Sequence, residues 1–559
     1  MYKKIAENQS QPKNHKTMNV MTVDTKPSQQ HTGALRLLKR APTSYLFNQA
    51  YSFWFYVSSF LFTILITREV RTEQYGIYAV IQTMINTITY IVALGLEDAT
   101  TTFIPRILAE NGKAEAAQLA RRIVGIRFLI LGVSIAIITF GLPLLATGIA
   151  LLPVAGAKSI STGLQNPILV TYNIPIILYV FGSGIGNALT ALCSAQLRTQ
   201  IVLAVGGFTQ IILLIASFAL LSLGWGITGI LWLQALLAIG NALAFVIWQM
   251  PFLFSPKTNF KPPMKAVLRL SFSAWLTNLA SGALLKQISV ILLGIYLISF
   301  TDIGYFNLSF QLADSANVLL VGGFSGVGGS ALSAAFVGKN HERLGQTWQT
   351  LIKVETVLAA PGLVFCLFNA STITQVLYGS KYAPVGPLLA IFILFNLVVR
   401  ILGATVHQAS LYVVGNPKMV VFSQWIGIIV VIGVGCVLIP TFGAAGALIA
   451  DGLAKLTTGI ILLVVLLGYI PRQHRQNLLI FTLRFMLALG IAALPFLLWH
   501  PTSRLLLGIS GCVFILLCLG LLVWIKPFNQ TDMEMLQQMN PRVSKFLHPF
   551  ARQATQKAL

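Results

Sequence analysis

Five ionisable side chains stand near the centres of long apolar segments: Lys286, Asp314, Arg400, Asp451 and Lys455. A charge at the middle of a membrane helix costs about 2.5–3.5 kcal/mol on insertion scales, so each needs a partner or a task. Asp451 and Lys455 are four residues apart and Arg400 and His407 seven apart, spacings that put each pair on one helix face. Pairing Lys286 with Asp314 and Asp451 with Lys455 would make structural staples of four of the five. Arg400 is then left with no acidic partner, and its planar fork suits phosphate oxygens. The expected anion site is therefore Arg400, Lys286 and Lys455. Asp314, Asp451 and Glu355 are candidates for a coupling ion or for ion pairs, and His407, Arg127 and Arg269 are secondary candidates. Arg127, Arg269, Lys353, Glu355 and Arg484 fall near segment ends, where long charged side chains are expected to snorkel toward water.

The first half of the chain carries neutral polar groups at its segment centres instead: Asn86, Asn173, Asn187, Gln210, Gln234 and Asn241. Such groups hydrogen-bond between helices by default and could equally meet sugar hydroxyls. The aromatic run Phe53-Trp54-Phe55-Tyr56 has the same two readings, packing or stacking on sugar rings. Enzymatic chemistry finds no support. The Gly-rich stretch Gly322–Gly329 follows an apolar helix, not a strand, and lacks the Gly-Lys-Ser/Thr ending of a nucleotide loop. No nucleophile, base and acid share one segment. Cys193, Cys366, Cys436, Cys512 and Cys518 lack metal-ligand spacing and read as packing residues, so neither a metal nor a cofactor is expected.

The elements that must position these groups are transmembrane helices. Hydrophobic residues make up 56% of the chain and charged ones 9%, with a mean hydropathy of +0.79. About fourteen apolar segments are long enough to span a bilayer. The net charge of +23 is no nucleic-acid footprint. With both termini inside, roughly 26 Lys and Arg fall on the cytoplasmic side against roughly five outside, which sets the orientation and points to anionic phospholipids as counter-charge. The chain also reads as two copies, because Gly76-Ile77-Tyr78 is matched by Gly304-Tyr305-Phe306 and Gly226-Ile227-Thr228-Gly229 by Gly443-Ala444-Ala445-Gly446. An even number of crossings separates the copies, so the repeat is parallel, with its axis along the membrane normal. The organisation expected is a basic disordered tail at 1–44, a first six-helix lobe at 45–253, a cytoplasmic linker at 254–269 and a second lobe at 270–470. A helix pair at 471–526 and a cytoplasmic tail at 527–559 follow.

Tyr75-Gly76-Ile77-Tyr78, then Leu94-Gly95-Leu96-Glu97-Asp98 running on to Pro105, resembles the opening of the polysaccharide flippases of the multidrug/oligosaccharidyl-lipid/polysaccharide exporter superfamily. Leu377-Tyr378-Gly379-Ser380-Lys381-Tyr382 and Ile439-Pro440-Thr441-Phe442-Gly443 carry the likeness through the second copy, so that it covers roughly residues 40–525. The resemblance implies an all-α membrane protein whose two lobes surround a central cavity. It also implies alternating-access flipping of undecaprenyl-pyrophosphate-linked oligosaccharides across a bacterial inner membrane, monomeric action and a polysaccharide polymerase as partner. The alternatives are a drug/cation antiporter of the related multidrug family and a membrane polysaccharide polymerase or ligase.

Overall fold

The computed structural model describes residues 27–136, 171–321 and 339–551, apart from 257, 297, 499, 500, 502, 540–543 and 546, together with 329, 331–333, 335 and 336. The stretch around Gly148 to Asn166 and most of the Gly322–Gly329 run lie outside the described residues. Described residues are helical almost throughout, in α1 (Pro27–Glu69), α2 (Thr72–Ala93), α3 (Leu96–Glu110), α4 (Lys113–Ala136), α5 (Asn173–Ala195), α6 (Thr199–Ser222) and α7 (Gly226–Leu253). There follow α8 (Met264–Asn278), a π-helical turn (Leu279–Leu284), α9 (Leu285–Ile295), α10 (Phe300–Val321), α11 (His341–Phe368) and α12 (Ala370–Tyr378). The chain continues through α13 (Val385–Leu402), α14 (Ala404–Val413), α15 (Pro417–Leu467), α16 (Arg472–Leu498), α17 (Arg504–Ile525) and α18 (Gln530–Met539).

Ten of the described helices are long and apolar enough to cross a membrane, which makes this a multi-pass membrane protein. One of them, α15, is two helices joined at Gly443, whose φ of 54° and ψ of −127° only glycine adopts readily. Its repeat counterpart Gly226 also has a left-handed φ, 56°, at the start of α7. α1 begins at Pro27, upstream of the expected boundary at 45, because the good helix formers Leu35 to Arg40 extend it.

The two halves of the chain meet at repeat-related positions. Gly76 on α2 lies so close to α10 that an added Cβ would sit 1.6 Å from the Phe300 carbonyl oxygen, and a Cβ on Gly304 would sit 3.2 Å from the Gly76 Cα. At the same end of the bundle, Arg68 donates to the carbonyls of Leu377 and Val376 at 2.9 and 2.8 Å. Lys381 donates back to the carbonyls of Arg68 and Val70 at 3.0 and 2.8 Å. Tyr75, Tyr305 and Tyr378 all set their rings against Tyr382 at 6.1–6.2 Å.

The opposite end holds a second contact layer. The chain turns at Leu94 and Gly95, both with positive φ, between α2 and α3. Gly95 packs directly on the α8 backbone, an added Cβ lying 2.1 Å from the Ser271 oxygen. Trp275 donates its indole N–H to the Ile91 carbonyl at 3.0 Å, and Asn278 donates to the Asp98 carboxylate at 2.8 Å.

The described residues beyond Lys526 pack against the bundle. Phe528, Leu536, Leu547 and Phe550 are buried, and α18 docks against the first half of α11. Asp532 lies 2.7 Å from the Lys353 ammonium, with both side chains 2% exposed. The Thr350 hydroxyl donates to the other Asp532 oxygen at 2.6 Å.

A polar cavity between the two halves

Two neighbouring cavities lie between these contact layers, about 640 and 450 Å³ in volume, within the range of small-molecule sites. They share Phe55, Asn86, Tyr179, Gln210, Leu213 and Gln234 as walls. The larger cavity opens among α1, α2, α5, α6 and α7, and the smaller reaches across to Gln287 on α9 and to Asn307, Gln311 and Asp314 on α10. Of the neutral groups singled out from sequence, Asn86, Asn187, Gln210, Gln234 and Asn241 line the larger cavity. Asn173 instead starts α5.

Two of these amides are held by neighbouring side chains. Gln82 donates to the Gln234 carbonyl at 2.7 Å and to the Tyr78 hydroxyl at 3.0 Å, and Gln234 donates to the same hydroxyl at 2.9 Å. Ser58 donates to Gln210 at 3.3 Å. From the aromatic run, Phe55 and Tyr56 face the cavities, whereas Trp54 donates to the Gly207 carbonyl at 3.2 Å and Phe53 is exposed.

Acidic groups that the sequence reading passed over also reach the larger cavity. Glu97 and Asp98 stand in its wall, one turn past the Gly95 bend. Glu97 is 2.9 Å from the Arg127 guanidinium, which is 1% exposed and also donates to the carbonyls of Gly184 and Val92 at 3.0 and 2.7 Å. Arg127 therefore does not snorkel. Among the described residues, neither cavity wall contains a lysine, arginine or histidine.

The expected cationic site is distributed differently. Arg400 has an acidic partner after all: Glu355, 3% exposed, lies 3.1 Å from it and accepts from Thr405 at 2.7 Å. Sequence hid this pair because its members come from different helices and because Gly403, with φ of 80°, breaks the chain between α13 and α14. The same break removes the shared face of Arg400 and His407. His407, fully buried on α14, accepts instead from the Trp348 indole at 3.0 Å. Asp451, 2% exposed, accepts from Ser289 at 2.6 Å. Lys455 donates to Asn396 at 3.0 Å, with its ammonium 4.4 Å from the centre of the Phe392 ring and 5.3 Å from that of Phe310. Phe310 lines the smaller cavity, as does Asp314, so Lys455 lies one side chain behind that wall. Lys286 is on α9 beside the cavity residue Gln287, and its side chain lies outside the described residues. Arg269 and Arg484 are exposed, as expected of snorkelling groups, but Lys353 and Glu355 are buried and paired.

A family model for polysaccharide biosynthesis proteins matches residues 133–387. No curated protein sequence matches the chain. Among solved structures, it is similar to the lipid II flippase MurJ in an inward closed conformation, with a TM-score of 0.60 and 16% identity over 85% of this chain and 97% of that one. It is similar to an inward-facing multidrug-resistance MATE transporter of the MOP superfamily, with a TM-score of 0.56 and 15% identity over 75% and 94%. A third likeness is to a MOP superfamily transporter from Pyrococcus furiosus whose binding pocket is described as of reverse polarity, with a TM-score of 0.51 and 15% identity over 80% and 96%. The chain thus shares its fold with the lipid II flippase and the multidrug transporter structures, and its middle part, residues 133–387, matches the model for polysaccharide biosynthesis proteins.

Proposed function

We propose that the protein flips undecaprenyl-pyrophosphate-linked oligosaccharides from the cytoplasmic to the outer leaflet of a bacterial inner membrane by alternating access, for surface polysaccharide synthesis. The observation that carries this reading is the cavity between two contact layers, walled by amides and aromatic rings that suit a glycan head while a prenyl tail stays in lipid. On this reading the Lys381 layer is the outer gate and the Gly95 layer the inner one. Both termini are cytoplasmic, the protein acts as a monomer held by anionic phospholipids, and a polysaccharide polymerase receives its product outside. The lobes are taken as 45–253 and 270–470, joined by the linker at 254–269. Lys455, whose ammonium lies 5.3 Å from the centre of the Phe310 ring in the wall of the smaller cavity, would meet a pyrophosphate once that ring moves aside, with Lys286 and Arg400 as further candidates.

Deleting the gene in its host tests the proposal. Lipid-linked oligosaccharide should accumulate on the inner leaflet, and the parent chain should clear it. Unchanged lipid-linked pools would refute it. The acids Glu97, Asp98 and Asp314 in the cavity walls favour one second reading, a drug/cation antiporter, which predicts that the deletion strain becomes sensitive to lipophilic cations while its polysaccharide is unaffected.

A further inference from the structure

We infer that the larger cavity is the glycan subsite and that it selects sugars without acidic groups, namely neutral or amino sugars, over uronic acids. The inference rests on the flippase reading and adds the class of head group.

Three observations carry it. First, the wall is rich in carboxamides, Asn86, Asn187, Gln210, Gln234 and Asn241, and each amide offers both a donor and an acceptor, as a sugar hydroxyl does. The Asn241 oxygen is shielded from solvent and has no hydrogen-bond partner among the described residues, so the wall retains an acceptor for an incoming hydroxyl or N–H. Second, the Tyr51, Phe55 and Tyr179 rings line the same space and offer flat apolar faces to sugar C–H groups. Third, the charge balance of the wall is negative among the described residues. Glu97 is neutralised by Arg127 at 2.9 Å, but Asp98 accepts from the neutral Asn278 amide, and no basic side chain lines this wall among the described residues. A uronate carboxylate entering here would leave water for a wall that offers it repulsion and no counter-ion, whereas a hydroxyl, acetamido or ammonium group would find acceptors.

The test uses the purified full chain in lipid nanodiscs and three synthetic probes with one common prenyl chain: polyprenyl pyrophosphate bearing N-acetylglucosamine, the same lipid bearing glucuronic acid, and the sugarless lipid. At pH 7 the N-acetylglucosamine lipid should bind at least ten-fold more tightly than the glucuronate lipid. Asp98→Asn should bring the two within about three-fold. Gln234→Leu should weaken the neutral probe and leave the sugarless lipid unchanged. The ratio in the unaltered protein decides the matter even if a variant fails to fold. Equal binding of the two sugar lipids, or preference for glucuronate, overturns this inference and leaves the flippase reading standing. Failure of all three lipids to bind overturns both.

Discussion

Truncating Asp532 to alanine should release the C-terminal segment from the membrane bundle. The side chain lies 2.7 Å from the Lys353 ammonium and takes a second hydrogen bond from Thr350, and both members of the pair are 2% exposed. Removing one partner of a pair this buried strands the other charge, at a cost of about 3–5 kcal/mol. The segment gives that penalty an easy outlet, because α18 spans only Gln530–Met539 and a helix of that length is marginal alone in water. Undocking lets water reach Lys353, so the cost should appear as local opening of the tail, with the rest of the bundle intact. At about 1.4 kcal/mol per ten-fold, amide exchange in α18 should accelerate by roughly two to three and a half orders of magnitude. Hydrogen exchange read by mass spectrometry on the detergent-purified protein measures this directly, with α15 peptides as internal reference. The double variant Lys353→Met with Asp532→Leu removes both charges at similar volume and should restore most of the protection. If exchange in α18 changes by less than three-fold in the single variant, or if the double variant is as exposed as the single one, the buried pair is not what holds the tail.

Three further outcomes follow from the same reasoning. Gly76→Ala places a methyl group against the Phe300 carbonyl, so the two halves must separate there, and cysteines introduced in place of Arg68 and Lys381 should cross-link more slowly than in the parent. Arg400→Ala and Glu355→Gln should each lower the thermal stability by about 3 kcal/mol, with a double-mutant coupling above about 1 kcal/mol, since each strands a buried or nearly buried charge. Gly443→Ala forces a side chain into the backbone conformation that joins the two parts of α15 and should cost about 1–3 kcal/mol in a melting assay, whereas Gly433→Ala, in open space on the same helix, should be neutral or slightly stabilising.

The helical membrane architecture was legible because the solvent, not the tertiary packing, dictates it: lipid demands apolar runs whose backbone groups are satisfied within the helix. The repeat was legible at its glycines, where close approach and positive φ leave no alternative residue. The ion pairs were not legible. Apolar windows are drawn where charges are sparse, which puts Arg127, Lys353 and Glu355 near segment ends. The helices in fact begin at Lys113 and His341, which moves all three charges from an end into the interior. Their partners Glu97, Asp532 and Arg400 come from elsewhere in the chain, and no periodicity reports them. Glu97 and Asp98 carried a signal that went unused, two acids directly after a Leu-Gly-Leu bend. The amides of the first half stood out by type, and only the folded bundle gathers five of them around one space.

The meeting of Gly76 with Gly304 has a consequence for how such a chain changes over time. A residue at the axis of a duplicated structure faces its own copy, so its bulk enters the contact twice while the two copies are still alike. A substitution there is tested against its twin at once, whereas one on a lipid-facing surface is tested alone. Divergence between the halves is therefore freest where the cavity walls and outer faces lie, and slowest along the line where the two copies touch. Asymmetry, with a cluster of amides in one wall and Lys455 behind the other, can accumulate around a seam that stays symmetric.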